Sequence, residues 1–124
     1  MSPKWFVKER VTLIFFNMAN IYRYFTRPAK ETGNLLIEFP DLPHDKDFIK
    51  QLIRVFSPIT MSVENYEDLW MHDEIVINAT SDIGKFTIYR DAEDFYYLTA
   101  NDNPDAIPLL AALLFKSPLF KKAE

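Results

Sequence analysis

The residues best suited to chemistry in this chain are two histidines and a large set of carboxylates. His72 stands in the sequence LWMHDEI, directly before Asp73 and Glu74. An imidazole beside two carboxylates could hold a hard metal ion or act as a general base. Neighbouring residues of a strand or turn point in different directions, however, and the chain has no second ligand pair such as HxxxH. We therefore predict a solvated loop at His72, and a capping or exposed role for His44 in its proline-rich segment.

Other catalytic signatures are missing from the sequence. A serine nucleophile needs a positioned base and an oxyanion hole, and no serine stands in a GxSxG motif; those considered are Ser57, Ser62, Ser81 and Ser117. The chain has no cysteine, which excludes disulfides and thiolate zinc sites, and its two glycines are too isolated to form a phosphate-binding loop. A wet acidic loop is the better interpretation of three further carboxylates, Glu64, Glu67 and Asp68. We predict a protein that is not an enzyme and needs no cofactor or metal.

The charge of the chain is unevenly distributed. Its 124 residues carry 14 Lys and Arg against 18 Asp and Glu, which gives a net charge of −4. Residues 64–105 hold two bases and eleven acids, whereas residues 1–62 hold nine bases and six acids. A segment this negative disfavours nucleic acid as its partner and favours a basic protein.

Large aromatic side chains are interleaved with these acids. Tyrosine and tryptophan combine a rigid apolar surface with a polar tip and are enriched in protein-binding hot spots, and surrounding carboxylates would steer a basic partner. Because the loops at one end of a sheet lie close together, we predict one acidic, aromatic contact face, formed by Trp70, Asp73, Glu74, Asp91, Glu93, Asp94 and Tyr96. The alternative is a solubilising charged surface with tyrosines that only pack.

The first segment, SPKWFVKERVTLIFFNMANIYRYFTRP, is predicted to be a helix. Pro3 suits its start, and Pro28 followed by Gly33 suits its end. Its apolar residues cover most of a helical circumference, so such a helix would be buried or covered by another molecule. A pair of strands is the competing interpretation, because RVTLIFF is rich in strand formers. The same segment is too short to span a membrane, because its charge-free run, residues 11–22, is shorter than the roughly 20 residues required. No signal-peptide cleavage site follows the run. We therefore predict a cytoplasmic location.

The remaining elements are distinguished by a change in hydrophobic period. A short strand is predicted at 35–39, followed by a helix with Asp45 as its N-cap and an apolar stripe formed by Phe48, Ile49, Leu52, Ile53 and Phe56. Alternation with period two then predicts strands at 59–63, 74–80, 85–90 and 95–100, with short turns at 81–84 and 91–94. A last helix is predicted to begin at Asp105, with Pro108 in its first turn.

These elements predict a single globular domain, residues 1–124, of the α+β class. Their order is α-β-α-β-β-β-β-α, with a mainly antiparallel sheet of about five strands and helices packed on one face. Short connections between successive strands favour antiparallel hairpins.

The C-terminal third of the chain, DFYYLTANDNPDAIPLLAALLFKSPLF, resembles the immunity proteins of bacterial toxin systems, as do the small size, the acidity and the lack of cysteine. Those of contact-dependent growth inhibition are the most similar in type. The resemblance implies a cytoplasmic inhibitor without catalytic residues, which binds one cognate toxin domain, frequently a basic nuclease, and blocks its active site. A structural or assembly subunit that homodimerises through the apolar N-terminal helix is the alternative function.

Overall fold

Seven strands form one sheet in the computed structural model, which describes residues 21–40 and 47–123. The strands are β1 (Tyr22–Pro28), β2 (Leu35–Phe39), β3 (Ser62–Leu69), β4 (Glu74–Ser81), β5 (Gly84–Arg90), β6 (Tyr96–Thr99) and β7 (Phe120–Lys122). Their order across the sheet is β3-β4-β5-β6-β2-β1-β7. All neighbours are antiparallel except β1 and β7, which are parallel, so the sheet is mixed.

Two α-helices cover part of one face of this sheet. Helix α1 (Phe48–Val55) is followed by a 3-10 turn at Ser57–Ile59, because Pro58 cannot continue a helix. Helix α2 (Ala106–Lys116) carries Pro108 in its first turn, where a missing N–H is tolerated. Within the described ranges, neither helix has the length and hydrophobicity that crossing a membrane requires.

Part of the core is a cluster of aromatic side chains, in which a ring of α1 contacts rings of the strands beneath it. The Phe48 ring of α1 lies 4.9 Å from the Phe39 ring and 4.8 Å from the Tyr96 ring, centroid to centroid, in edge-to-face geometry. Tyr22 of β1 and Phe120 of β7 are 5.2 Å apart on the same face. Such pairs contribute about 0.5–1.5 kcal/mol each beyond their buried area.

The predicted fold class is wrong in strand number and in element order. Residues 22–28, expected as the end of an N-terminal helix, form β1, with Tyr22 and Tyr24 buried and Arg23 exposed between them. This alternation was hidden among apolar neighbours, and it becomes stable only because β2 and β7 supply pairing partners on both sides. The rest of the predicted helix, residues 1–20, lies outside the described residues, and so do His44 and Asp45.

Strand β3 also differs from the prediction. A strand was expected at 59–63, but Ser57–Ile59 form the 3-10 turn, Thr60 adopts a left-handed backbone (φ 54°), and the strand runs from Ser62 to Leu69. The acids expected in a loop, Glu64, Glu67 and Asp68, therefore lie on a strand. Because the whole strand up to Asp68 is exposed on both faces, no apolar alternation marks it in the sequence.

The other predicted strands and helices are confirmed, except that α1 begins at Phe48 with Asp47 as its N-cap, so the N-cap predicted at Asp45 is wrong. Strands β2, β4, β5 and β6 and helices α1 and α2 occupy the expected segments, and the apolar alternation of β4 and β5 buries Ile77, Ala79, Phe86 and Ile88 on the helix-covered face. The two-residue turn between β4 and β5 is closed by Gly84, whose backbone (φ 112°) favours glycine. A Cβ at this position would also collide with the side chain of Asn103.

Candidate protein-binding site

Two turns meet at one end of the sheet, on either side of Arg90. The β3–β4 turn covers residues 70–73 and the β5–β6 turn covers residues 91–95. Arg90 Nη1 lies 2.6 Å from Asp94 Oδ1, and Arg90 Nη2 lies 3.3 Å from Asp73 Oδ1. One guanidinium therefore ties together two turns that are about 20 residues apart in the chain.

The backbone of both turns is held in an uncommon conformation at the paired carboxylates. Asp73 (φ 57°) and Asp94 (φ 68°) are left-handed, a conformation that Asp tolerates better than most residues. The Arg90 side chain is mostly buried, with 16% of its surface exposed. Burial lowers the pKa of Arg90, but hydrogen bonds to Asp94 and Asp73 raise it above its ordinary value, so the clamp stays charged.

Asp91 organises the β5–β6 turn from inside. Its Oδ1 accepts hydrogen bonds from the backbone N–H groups of Glu93 (2.9 Å) and Phe95 (3.0 Å), as in an Asx turn. Its Oδ2 accepts a hydrogen bond from Tyr97 Oη at 3.1 Å. The half-buried Asp91 carboxylate thus fixes the shape of the turn and leaves Glu93 exposed at its tip.

Two tyrosines support the same end of the sheet from its open face, the face that neither α1 nor α2 covers. Burial raises the pKa of Tyr89 to about 12, with a further contribution from its hydrogen bond to Glu74. Burial likewise raises the pKa of Tyr97 to about 12, with a further contribution from Asp91. Both phenols therefore remain protonated near neutral pH and donate hydrogen bonds, Tyr89 to Glu74 and Tyr97 to Asp91.

Large apolar side chains are exposed beside these acids. Trp70 and Met71, in the β3–β4 turn, are 77% and 76% exposed, and Tyr66 on β3 is 56% exposed. Isolated exposed side chains of this kind are ordinary, but an exposed tryptophan next to ordered carboxylates has the composition of a binding hot spot. His72 lies exposed in the same turn, as predicted.

The structure brings together most of the residues predicted for the contact face. Trp70, Asp73 and Glu74 reach it from one turn, and Asp91, Glu93 and Asp94 from the other. Tyr96 is separate, because its half-buried ring packs against Phe48 on the helix-covered face.

The remaining acids of residues 64–105 lie elsewhere. Asp82, Asp102 and Asp105 are at the opposite end of the sheet, near the β4–β5 turn and the start of α2. Glu64, Glu67 and Asp68 line the outer strand β3. The acids therefore lie at both ends of the sheet and along one of its edges, and they do not form the single face that the sequence suggested.

A groove on the open face was not predicted. It has a volume of about 790 Å³, and its lining includes Arg27, Asn78, Thr87, Tyr89, Tyr97 and Thr99. The rings of Tyr89 and Tyr97 stack at 6.2 Å, and Arg27 Nε pairs with the buried Glu38 Oε1 at 2.6 Å. The alternation of Thr87 with Tyr89 was visible in the sequence, but only the β5–β6 and β2–β6 registers place these side chains together.

The groove offers weak chemical specificity. Its one strong charge pair, Arg27 with Glu38, is internally compensated, and the hydrogen bond to Glu38 raises the pKa of Arg27. Lys30 and Glu31 add one charge of each sign to the lining, and the remaining polar groups are hydroxyls and amides that can donate or accept hydrogen bonds. Across the ranges that the structure describes, no three His, Asp or Glu side chains are grouped so as to hold a metal ion.

Comparison with known protein families, curated proteins and solved structures finds no match to this chain.

Proposed function

We propose that this protein is a non-catalytic binding protein that neutralises a cognate basic toxin domain, in the manner of a bacterial immunity protein. The observation that carries this proposal is the exposed Trp70 beside carboxylates whose positions are fixed by Arg90 and by turn hydrogen bonds. This end of the sheet carries one guanidinium, of which Asp73 and Asp94 are the partners, and five carboxylates, so the local charge is negative: Asp73, Glu74, Asp91, Glu93 and Asp94. Cytoplasmic location belongs to the same proposal, since an immunity protein meets the toxin inside the cell.

The inhibitory mechanism is competition for a basic active site. A nuclease site is positively charged because it binds phosphates, and ordered carboxylates can occupy the same field. Preorganisation matters here, because side chains that are already fixed lose less conformational entropy on binding. Trp70 and Met71 would supply apolar anchor area beside the charges.

The proposal is tested with a candidate toxin domain, taken from any toxin gene found directly upstream of this one and purified in a catalytically inactive form. We expect Trp70→Ala to weaken the affinity by about 30-fold or more, which corresponds to the 2 kcal/mol that defines a hot spot. Glu93→Ala should act mainly by slowing association, and increasingly so at low salt, because this carboxylate is exposed at the turn tip. Calorimetry and surface plasmon resonance measure both effects.

The matched control is Asp102→Ala, which removes an exposed carboxylate at the opposite end of the sheet. Its affinity and association rate should equal those of the wild type. If Trp70→Ala and Asp102→Ala bind alike, or if association does not respond to salt, this end of the sheet is not the contact face.

A further inference from the structure

Strand β3 has one paired side and one open side. It pairs with β4 from Ser62 opposite Thr80 to Leu69 opposite Glu74. In the part of the chain that the structure describes, no other strand pairs with β3, which is the outermost strand of the sheet. Alternate residues of such an edge direct both their N–H and their C=O groups to solvent, where another strand can bind them.

The C-terminal part of β3, from Asn65 to Leu69, is regular enough to accept another strand. A register shift interrupts the β3–β4 pairing between Val63 and Asn65, and bulges of this kind protect an edge locally. From Asn65 to Leu69 the pairing continues without interruption. This stretch has the length of an ordinary short strand and leads directly to the exposed Trp70.

The side chains of this edge carry a single sign of charge. Glu64, Glu67 and Asp68 are exposed, and the strand contains no base. None of the ion pairs among the described residues involves these three carboxylates, although Asn65 Nδ2 donates to Glu67 Oε2 at 3.1 Å. The negative charge of these three carboxylates is therefore not neutralised by a basic side chain in contact with them.

This charge selects between candidate occupants. Pairing of β3 with β3 of a second copy would set carboxylates against carboxylates, and like charges on facing strands destabilise a sheet. The other edge strand, β7, carries Lys121 and Lys122 but has only three residues, too few to match the regular part of β3. An extended segment rich in lysine or arginine satisfies both the backbone groups and the charges.

We propose that the toxin partner adds an extended, basic segment to the free edge of β3 as an additional strand. This inference rests on the proposed function and specifies how that partner is held. Main-chain hydrogen bonds to β3 would supply affinity, as in other β-strand additions, and the carboxylates would select basic side chains. Tyr66 and Trp70 are exposed beside the edge and would contact the apolar side chains of the added strand.

The first test uses the whole protein and a synthetic heptapeptide of alternating lysine and valine, followed by NMR. The matched control is the same peptide with glutamate in place of lysine. We expect the lysine peptide alone to shift the amide signals of β3 and to slow hydrogen exchange at every second amide between Asn65 and Leu69. Protection of both alternating sets in the free protein would overturn the proposal, because the edge would already be paired.

The second test removes the outward N–H groups. Of two adjacent strand residues, one directs its N–H toward β4 and the other toward solvent, so Glu67→Pro and Asp68→Pro are made separately. The variant that keeps the wild-type melting temperature has lost the outward donor and one carboxylate, so it is compared with Glu67→Gln or Asp68→Asn at the same position. We expect the proline variant to bind the lysine peptide about tenfold more weakly than that matched amide variant, or worse. The charge control, Glu67→Gln with Asp68→Asn, should weaken binding while leaving the exchange pattern of the complex unchanged.

The results separate this inference from the proposed function. If the toxin domain binds but protects only turn amides, residues 70–73 and 91–95, the protein remains an inhibitor and the edge proposal fails. If both peptides bind equally, or if the shifts fall on the open-face groove, the edge proposal fails as well. A doubling of mass without toxin, measured by light scattering and accompanied by protection of the outward amides of β3, would assign the edge to a second copy instead.

Discussion

At the scale of single residues, the Arg90 side chain determines the shape of the candidate binding site. It is mostly buried and pairs with Asp73 and Asp94 in two separate turns. We expect Arg90→Ala to lower the free energy of unfolding by about 1–3 kcal/mol, because hydrogen bonds to charged groups and packing of the side chain are both lost. Urea unfolding followed by circular dichroism measures this loss.

Two further variants make the Arg90 result specific. Arg90→Lys keeps the charge but cannot form the same forked contacts, so an intermediate loss is expected. Lys85→Ala removes an exposed base from the same strand and should change the free energy of unfolding by less than about 0.5 kcal/mol. Equal stabilities of the Arg90→Ala and Lys85→Ala variants would show that the clamp contributes nothing.

The buried tyrosines give the protein a particular response to alkaline pH. Burial raises the pKa of Tyr89 and of Tyr97 from 10.0 to about 12. A raised pKa means that the folded state holds the proton more tightly, so this stabilisation is complete below pH 10 and is lost as the pH rises toward 12. We expect the free energy of unfolding to fall steadily over this interval.

The variant Tyr89→Phe with Tyr97→Phe tests this assignment. Its free energy of unfolding should fall less steeply between pH 10 and 12 than that of the wild type, since two of the linked protons are gone. Between pH 7 and 9 the two proteins should differ by a constant amount, which reflects the lost hydrogen bonds. Identical slopes above pH 10 would mean that other groups cause the alkaline loss.

At the scale of elements, the short strand β7 closes the core. Phe120 is buried against the rings of Tyr22, Phe39 and Phe48. We expect Phe120→Ala to lower the free energy of unfolding by about 3–5 kcal/mol, the range for a buried phenylalanine. Phe115→Ala on α2, where the ring is 71% exposed, is the matched control and should have almost no effect. Similar losses in the two variants would contradict the assigned role of β7.

The same strand shows why part of the fold was predictable from the sequence. Strands β4, β5 and β6 and both helices have one face toward the core, so their apolar residues recur with the period of a strand or of a helix. The segment PLFKK has no such period, and β7 forms because the buried Phe120 is held beside β1. Likewise β1 looked helical because its apolar neighbours obscured the alternation, and β3 looked like a loop because it buries neither face.

The candidate site was predictable to a similar degree. Its loops were assigned to one end of the sheet, because successive hairpins place alternate turns together. The role of Arg90 was not predictable, since its partners Asp73 and Asp94 are fixed by tertiary contacts and by left-handed backbone angles. For the same reason Tyr96 was assigned to the surface, although the register of β6 turns it toward Phe48.

At the scale of the whole molecule, the two edges of the sheet carry opposite charge. The β3 edge holds Glu64, Glu67 and Asp68, whereas the β7 edge holds Lys121 and Lys122. Six interstrand spacings of about 4.8 Å separate these edges by roughly 29 Å. The Debye length is about 8 Å at physiological ionic strength, so the two edges act as independent fields despite the net charge of −4.

Association with a basic partner should therefore depend on where charge is removed, and not on net charge alone. Two double variants change the net charge by the same amount in opposite directions: Glu67→Gln with Asp68→Asn on the β3 edge, and Lys116→Gln with Lys121→Gln at the β7 side. At physiological salt we expect the β3 variant to associate several-fold more slowly and the β7-side variant to stay within about twofold of the wild type. Stopped-flow mixing with the inactive toxin domain measures these rates.

Low salt supplies the control for these rates. At about 0.01 M salt the Debye length reaches roughly 30 Å, the width of the sheet, so the β7-side variant should then associate measurably faster than the wild type. Equal and opposite effects of the two variants at every salt concentration would mean that the partner senses only the net charge.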